Sequence, residues 1–338
     1  MPLTKRKEAI LQIIVDEYIA TAIPIASKAV AHNFNLKVSS ATIRNDIADL
    51  AEEEYVKRSH LSAGAIPTDK AYRYYVESLN LRNKLSWQEQ NEFRRLLEKT
   101  TGEIEQWIQL VATFLAHIVH NAVLVTSPKA LQYRFKHIDL VALQDFVALL
   151  IMVLNEAKVG KKILSFTEKI TQDELVTISN KINSIYAGMT GKEIAEKEVG
   201  LTPNEQQITS YIIDMIENED RNESNKPYLE GLHLMLSQPE FTASEQIVNL
   251  LELLEENKWW KNILTNEIIS GGIKVIIGKE NEDEALQDLS LIISEYGIAG
   301  KAKGVIGVIG PKRINYGKVI NSIDFLSSLL SRSMAEYI

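Results

Sequence analysis

Polar residues suited to DNA recognition begin the segment SSATIRNDIADLAEEE, which spans residues 39–54. On a helical wheel Ile43, Ile47 and Leu50 share one side, so the opposite side carries small and polar residues first and acids farther on. Arginine can bond to a guanine edge, asparagine to an adenine edge or a phosphate, and hydroxyl groups can hold phosphates. The helix alone is equally compatible with an ordinary capped surface helix. As a recognition helix it would use Ser39, Ser40, Thr42, Arg44 and Asn45.

A basic cluster follows this helix in the segment YVKRSHLSAGAIP, residues 55–67. The pattern predicts a strand, a loop tip at residues 62–64 and a short return strand. A hairpin beside a recognition helix commonly contacts the flanking DNA backbone or minor groove, and this one would do so with Lys57, Arg58 and His60. The same charges could instead protect an edge strand from unwanted pairing. The helix and the basic hairpin together favour DNA binding.

Three predicted helices position the polar residues of the recognition helix and the basic hairpin. Apolar residues recur every three or four positions from Thr4 to Ala20, Ser27 can cap a short helix, and Ser39 or Ser40 can cap the third. Two short helices joined by about four residues form a helix-turn-helix, and a hairpin after three helices makes a winged helix. Thr68 is predicted to cap the next helix.

The rest of the chain mixes helical and strand patterns, which predicts an α+β fold. Helical periodicity covers residues 86–121 and 172–218, and the polar run 217–227 is the clearest linker. The apolar strands around residues 146–166 exceed what a small sheet buries on its own, which predicts dimerisation in this region. The predicted strands are AVLVTS, an antiparallel meander of HIDLVAL, FVALLIMVL and KVGKKILSF, and then YLEGLHLML, GIKVIIG, DLSLIISEY and AKGVIGVIG, with further helices over 242–256 and 315–331.

Length and composition limit the classes of protein to consider. A chain of 338 residues predicts two or three domains, and a net charge of -8 argues against binding nucleic acid by bulk charge. The first 80 residues carry ten acidic and ten basic side chains, so the negative excess lies beyond them. The chain has no cysteine, which suits a reducing cytoplasm. No apolar run is long enough for a membrane span, so a cytoplasmic protein without membrane contact is expected.

Candidate cofactor and catalytic patterns have simpler explanations. His117 and His120 lie three apart on a predicted helix, but no further ligand follows at a suitable spacing, so packed or solvated histidines are favoured over a metal site. The glycines of GVIGVIGPKR match neither a dinucleotide fingerprint nor a phosphate-binding loop. No nucleophile, base and acid occur in a catalytic order. We therefore expect no cofactor and no enzymatic activity.

Several segments in combination resemble the HrcA family of bacterial heat-inducible transcription repressors. The most specific is SSATIRN followed by SAG-x-x-P and YRYYV, and the resemblance covers nearly the whole chain. It implies a winged helix, a GAF-like domain and a dimerising domain inserted into the latter. It also implies repression of chaperone operons by a homodimer on an inverted-repeat operator in double-stranded DNA, with the GroE chaperonin as a partner. The expected domains are a winged helix over 1–80, the first part of the GAF-like domain over 81–130, the insertion over 131–226 and the second GAF-like part over 227–338.

The resemblance also transfers binding residues, and this chain departs from the family pattern in places. The family motif assigns DNA binding to the same five residues of the recognition helix, and it adds His60, Ser62 and Gly64 on the wing. Glu54 stands where the family usually has glycine, and Ala65 replaces an arginine next to a wing tip that we expect to be exposed. An alternative from another class is a ligand-binding sensor or enzyme with a GAF-like domain, in which the winged helix binds protein.

Overall fold

In the computed structural model the chain forms two compact units. The first unit comprises residues 1–127, 226–296 and 304–333, and the second comprises 128–225, 297–303 and 334–338. The residues that the structure describes are 3–33, 38–58, 64–79, 85–100, 104–130, 132–155, 158–221, 227–242, 248, 252 and 272–337.

The first unit begins with three helices and a hairpin. The helices are α1 (Lys5–Thr21), α2 (Ser27–Asn33) and α3 (Ser40–Glu52), followed by strands β1 (Val56–Lys57) and β2 (Ile66–Pro67). The buried residues of α1 and α3 are those that the apolar spacing selects, including Ile10, Ile14, Ile43, Ile47 and Leu50. Ser39 caps α3, as predicted. Predicted turn residue Asn35 lies outside the described residues.

Three more helices lead from the hairpin to a mixed core. They are α4 (Asp69–Ser78), capped by Thr68 as predicted, α5 (Trp87–Leu97) and α6 (Ile104–Val119). Five strands then form a sheet in the order β8 (Tyr228–Glu230), β3 (Ala122–Val125), β11 (Ala302–Pro311), β10 (Leu289–Ile298) and β9 (Ile273–Ile277). Short β4 (Lys129–Ala130) pairs with residues 302 and 303 at the start of β11, and these four residues belong to the second unit. The helices α10 (Leu232–Leu236) and α11 (Tyr316–Tyr337) follow β8 and β11 in the chain.

One predicted strand of this core is wrong over most of its length. In YLEGLHLML only Tyr228–Glu230 is extended, and Leu232–Leu236 is helical. Gly231 separates the two because it takes a left-handed conformation with φ of 73°. A Cβ on Gly231 would lie 2.6 Å from the Cβ of Ala116, so only glycine fits this turn. The helix predicted over 242–256 lies almost entirely outside the described residues.

The second unit is a meander of three antiparallel strands packed against helices. Strands β5 (Phe135–Gln144), β6 (Val147–Leu154) and β7 (Val159–Ser165) pair in chain order, which confirms the predicted meander. One face of the sheet packs with α7 (Gln172–Tyr186) and α9 (Pro203–Arg221) around a buried core that includes Leu150, Met152 and Ile212. The short helix α8 (Gly191–Glu196) lies between them in the chain.

Helix α9 runs farther than the sequence predicts. The polar run that predicts a linker from residue 217 is helical as far as Arg221. Glu219 forms an ion pair with Lys158 at 3.2 Å, and the Asp220 carboxylate accepts a 3.0 Å hydrogen bond from the Tyr133 amide. These contacts anchor the polar end of the helix. The fold as a whole is mixed α+β, as predicted. No helix in the described part of the chain is long and apolar enough to cross a membrane.

Candidate nucleic-acid interface

The N-terminal half of α3 presents the predicted polar residues to solvent. Ser39 accepts a 3.1 Å hydrogen bond from the Thr42 amide, and its hydroxyl lies 3.0 Å from that of Thr42. Ser40, Arg44 and Asn45 are exposed, and Thr42 is partly exposed. The free amides and the dipole of a capped helix end favour an anion such as a phosphate group. This end of α3 can therefore offer hydroxyls, amides, a guanidinium and a carboxamide to one ligand.

Two basic residues of α1 pair with acids of α3 and its C-cap, contacts that the sequence interpretation missed. Arg6 donates two hydrogen bonds to the buried carboxylate of Asp46, at 2.7 and 2.9 Å. Lys7 lies 3.0 Å from both Asp49 and Glu53. These hydrogen bonds raise the pKa of both basic groups above their usual values. The sequence shows the basic triplet at residues 5–7 and the acids of α3, but not that the two groups pair with each other.

The hairpin that carries Lys57 and Arg58 is tied to the C-terminal end of α3. The Tyr55 amide donates a 2.8 Å hydrogen bond to the Leu50 carbonyl. On the return side, the Thr68 hydroxyl donates to the carbonyl groups of Glu54 and Tyr55 at 2.7 and 3.0 Å. Lys57 is exposed and Arg58 partly exposed. These contacts hold the basic strand in a defined direction relative to the helix.

Gly64 and Ala65 lie at the start of the return strand and are packed against the segment before α2, so the expectation that Ala65 is exposed is wrong. Ala65 is only 1% exposed, and it forms an antiparallel bridge with Ile25. A Cβ on Gly64 would lie 2.5 Å from the carbonyl carbon of Pro24, so this glycine allows two backbone segments to approach closely. The other two wing residues of the prediction, His60 and Ser62, lie outside the described residues.

Helix α4 joins these elements to the remainder of the first unit. On one side Tyr74 and Tyr75 donate 2.6 Å hydrogen bonds to Glu8 and Asp16 of α1, and the bond to Glu8 raises the pKa of Tyr74 to about 12. On the other side Arg73 pairs with Glu280 and donates a 2.7 Å hydrogen bond to the Val275 carbonyl. The candidate interface is therefore attached to the sheet through polar contacts along one helix.

The histidines of α6 take ordinary structural positions. The His117 Nδ1 lies 2.9 Å from the Thr113 carbonyl one turn earlier, and His120 follows the helix with φ of 54°. Within the described ranges, no group of three or more histidine, cysteine or acidic residues could hold a metal ion.

Comparison with known proteins identifies close relatives. A family model described as the HrcA protein C-terminal domain matches residues 105–320. The chain is 40% identical to a heat-inducible transcription repressor HrcA of Dehalococcoides mccartyi, over 99% of this chain and 96% of that protein. It is 33% identical to the protein of the same name from Chloroflexus aurantiacus, over 99% and 95%. A crystal structure of a hypothetical protein at 2.2 Å resolution shares the fold, with a TM-score of 0.60, 22% identity and full coverage of both chains.

Proposed function

Because this chain belongs to the HrcA family of heat-inducible transcription repressors, we propose that it binds its operator through α3 and the adjoining hairpin. In this proposal α1 to α3 with β1 and β2 form a winged helix over residues 1–80. The front of α3 enters the major groove, and Arg44 and Asn45 reach base edges while Ser39, Ser40 and Thr42 bind phosphates. Lys57 and Arg58 contact the flanking backbone, together with His60 and Ser62.

One observation carries this proposal: the exposed front of a capped helix combines Arg44 and Asn45 with hydroxyl groups. The acids Asp46 and Asp49, farther along the helix, are paired with basic residues of α1. Gly64 contributes differently from the other proposed wing residues, because its place against Pro24 supports the hairpin rather than the DNA. As a regulator of transcription, the protein would act in the cytoplasm, where bacterial DNA lies. The names of its relatives favour this function over a ligand sensor or an enzyme.

We further propose that the repressor is a homodimer joined through the open face of the β5–β7 sheet. Apolar side chains alternate toward this face, and Val159 and Ile163 are 59% and 65% exposed. Val141, Leu149 and Ile163 lie side by side across the three strands, so they form one continuous stripe. We expect a second copy of the chain to cover this stripe. Two copies related by two-fold symmetry present two recognition helices, one to each half of an inverted repeat.

The division into a GAF-like domain over 81–130 and 227–338 with an inserted domain over 131–226 completes the proposal. The second compact unit, whose main segment is residues 128–225, supports the placement of the insertion. The chaperonin GroE is proposed as a partner on the family resemblance alone. Chaperone operons are the proposed targets, in keeping with the heat-inducible repression named in the relatives.

The test is a DNA-binding titration at several salt concentrations, using the inverted repeat upstream of a chaperone operon. Arg44→Ala should weaken operator binding by about 1–3 kcal/mol while the fold and oligomeric state are preserved. Arg95→Ala provides the matched control, because Arg95 is an exposed arginine on α5, away from the proposed interface. Equal operator affinity of wild type and Arg44→Ala would refute the role of α3.

A further inference from the structure

Asp46 is a charged residue on the buried side of the proposed recognition helix. It is 4% exposed and lies among the apolar residues Ile43, Ile47 and Leu50. A buried carboxylate is costly unless hydrogen bonds and an opposite charge compensate it. Arg6 of α1 provides both, with Nε 2.7 Å from one carboxylate oxygen and Nη2 2.9 Å from the other.

This paired contact constrains how α3 can be oriented. A guanidinium is a planar fork, and both of its bonds to a carboxylate form only in a narrow range of orientations. The buried stripe of Ile43, Ile47 and Leu50 sets which side of α3 faces the core, and the fork narrows the range of helix rotations that this stripe allows. Residues of an α-helix are separated by about 100°, so Arg44, two residues before Asp46, points about 200° away from it. Directing Asp46 toward α1 therefore directs Arg44 toward the opposite, exposed side.

Lys7 acts on the same helix by charge. Its ammonium group lies 3.0 Å from Asp49 and 3.0 Å from Glu53, which are one turn apart on the acidic half of α3. Without this cation the two carboxylates would add unpaired negative charge to the half of α3 that follows the proposed DNA contact, which would weaken the attraction of DNA phosphates. Lys7 directly follows Arg6, so Asp46, Asp49 and Glu53 are all bound by one turn of α1.

We propose that Arg6 and Lys7 are positioning residues for operator recognition: they hold α3 in the orientation that presents Arg44 and Asn45, and they pair with Asp46, Asp49 and Glu53. The inference rests on the proposed function of α3. It assigns the basic start of α1 to contacts inside the protein, although a sequence such as TKRK also suits a phosphate-binding arm.

The experiment compares Arg6→Gln with wild type on operator DNA and on unrelated DNA across a series of salt concentrations. The affinity for the operator should fall about tenfold or more, because the contact of a misdirected Arg44 is weakened. Its dependence on salt should stay the same, because no phosphate contact is lost. The preference for operator over unrelated DNA should therefore shrink. A salt slope reduced by about 0.9, with equal losses on both DNAs, would show that Arg6 contacts a phosphate and would overturn the proposal.

A second variant separates positioning from a purely structural role. In Arg6→Leu, Asp46→Leu apolar side chains replace the buried carboxylate and its half-exposed partner, so no unpaired buried charge remains. This double variant should regain the thermal stability that Arg6→Gln loses. The preference for the operator should stay low, because two leucines do not fix the rotation of the helix. Recovery of both stability and preference would overturn the proposal. Lys5→Gln is the matched control, since Lys5 is an exposed neighbour on α1.

Arg44→Ala measured in parallel distinguishes this inference from the function on which it rests. If Arg44→Ala leaves operator affinity unchanged, α3 is not the recognition helix and the proposed function fails. If Arg44→Ala weakens binding but Arg6→Gln does not, only the positioning role fails. The expected result is that both variants lose operator preference.

Discussion

Ala65 and Ile25 exchange two backbone hydrogen bonds, from the Ala65 amide to the Ile25 carbonyl at 2.8 Å and from the Ile25 amide to the Ala65 carbonyl at 3.0 Å. The segment between α1 and α2 thus extends the hairpin by one more pairing. Gly64 packs against Pro24 beside it. The return strand of the proposed wing is therefore paired with the segment that joins α1 and α2.

Ala65→Arg should destabilise the protein by about 1–3 kcal/mol, because the larger side chain has no space at this buried bridge. Ala41→Arg is a matched control, since Ala41 is exposed on α3 and its replacement should change stability by less than about 0.5 kcal/mol. Chemical denaturation of both variants measures the difference. Unchanged stability together with tighter operator binding would mean that residue 65 faces DNA.

Glu54→Gly should increase the free energy of unfolding by about 0.5–1 kcal/mol. Glu54 has φ of 62°, a left-handed conformation that is costly for a residue with a Cβ, and glycine relieves this cost at the expense of a more flexible unfolded chain. Glu54→Ala removes the carboxylate but keeps the Cβ, so it should give no such increase. Equal stabilisation by both changes would assign the effect to the lost charge.

The sequence predicts local structure well where it depends on spacing. The buried side of α3 and the caps Ser39 and Thr68 follow from periodicity and hydrogen-bonding chemistry and are confirmed. The burial of Asp46 and Ala65 was not predicted. Each depends on a partner about 40 residues earlier in the chain, Arg6 in one case and Ile25 in the other.

The candidate site shows the same division between local and distant effects. The polar residues of α3 could be selected from the wheel because their exposure follows from the apolar side. The contribution of Arg6 and Lys7 could not be predicted from the sequence. A basic triplet next to an apolar helix has the same pattern whether it binds phosphates or acids on another helix. The strand predicted over 228–236 was wrong because the pattern carries no information on the close approach of Gly231 to Ala116.

Ile163→Glu should convert the proposed dimer to monomers. Ile163 is 65% exposed and lies on the edge strand at one end of the apolar stripe. A buried, unpaired carboxylate at a dimer interface is strongly unfavourable. Val176→Glu is the control, since Val176 is 44% exposed on α7, which packs against the opposite face of the sheet. Light scattering after size-exclusion chromatography reports the mass. A dimeric Ile163→Glu would exclude this face as the interface.

Loss of the dimer has a consequence for DNA binding that the same variant can test. The monomer should bind the full inverted repeat much more weakly, because the second half-site no longer gains from the first. Its affinity for a single half-site should stay near that of the wild type.

Glu205→Gln should reduce the loss of stability in acid. Burial alone raises the pKa of Glu205, but the hydrogen bond from Lys181 at 2.7 Å and that from the Thr202 amide outweigh it, so the pKa is lower than usual. A lowered pKa adds stability above the unfolded value of about 4.3, and this contribution is lost as the pH falls through the folded pKa. Glu205→Gln should be less stable than wild type at neutral pH.

The difference in stability between wild type and Glu205→Gln should shrink as the pH falls below about 4.3. Urea denaturation at several pH values measures it. Glu196→Gln is the control, since Glu196 is exposed and lies 3.9 Å from Lys192, so this change should leave the pH profile nearly unaltered. A constant difference between wild type and Glu205→Gln at all pH values would contradict the prediction.

Lys57→Ala combined with Arg58→Ala tests whether the hairpin contacts DNA. If both side chains bind phosphates, the double variant should lose affinity for operator and unrelated DNA alike, and the slope of log affinity against log salt should become shallower by up to about 1.8. This outcome differs from that expected for Arg6→Gln, which should lose operator preference at an unchanged slope. Lys169→Ala with Lys192→Ala removes two exposed charges of the second unit and should change neither quantity. Parallel salt lines with equal intercepts for wild type and the hairpin variant would show that the hairpin lies away from the DNA, leaving α3 as the contact.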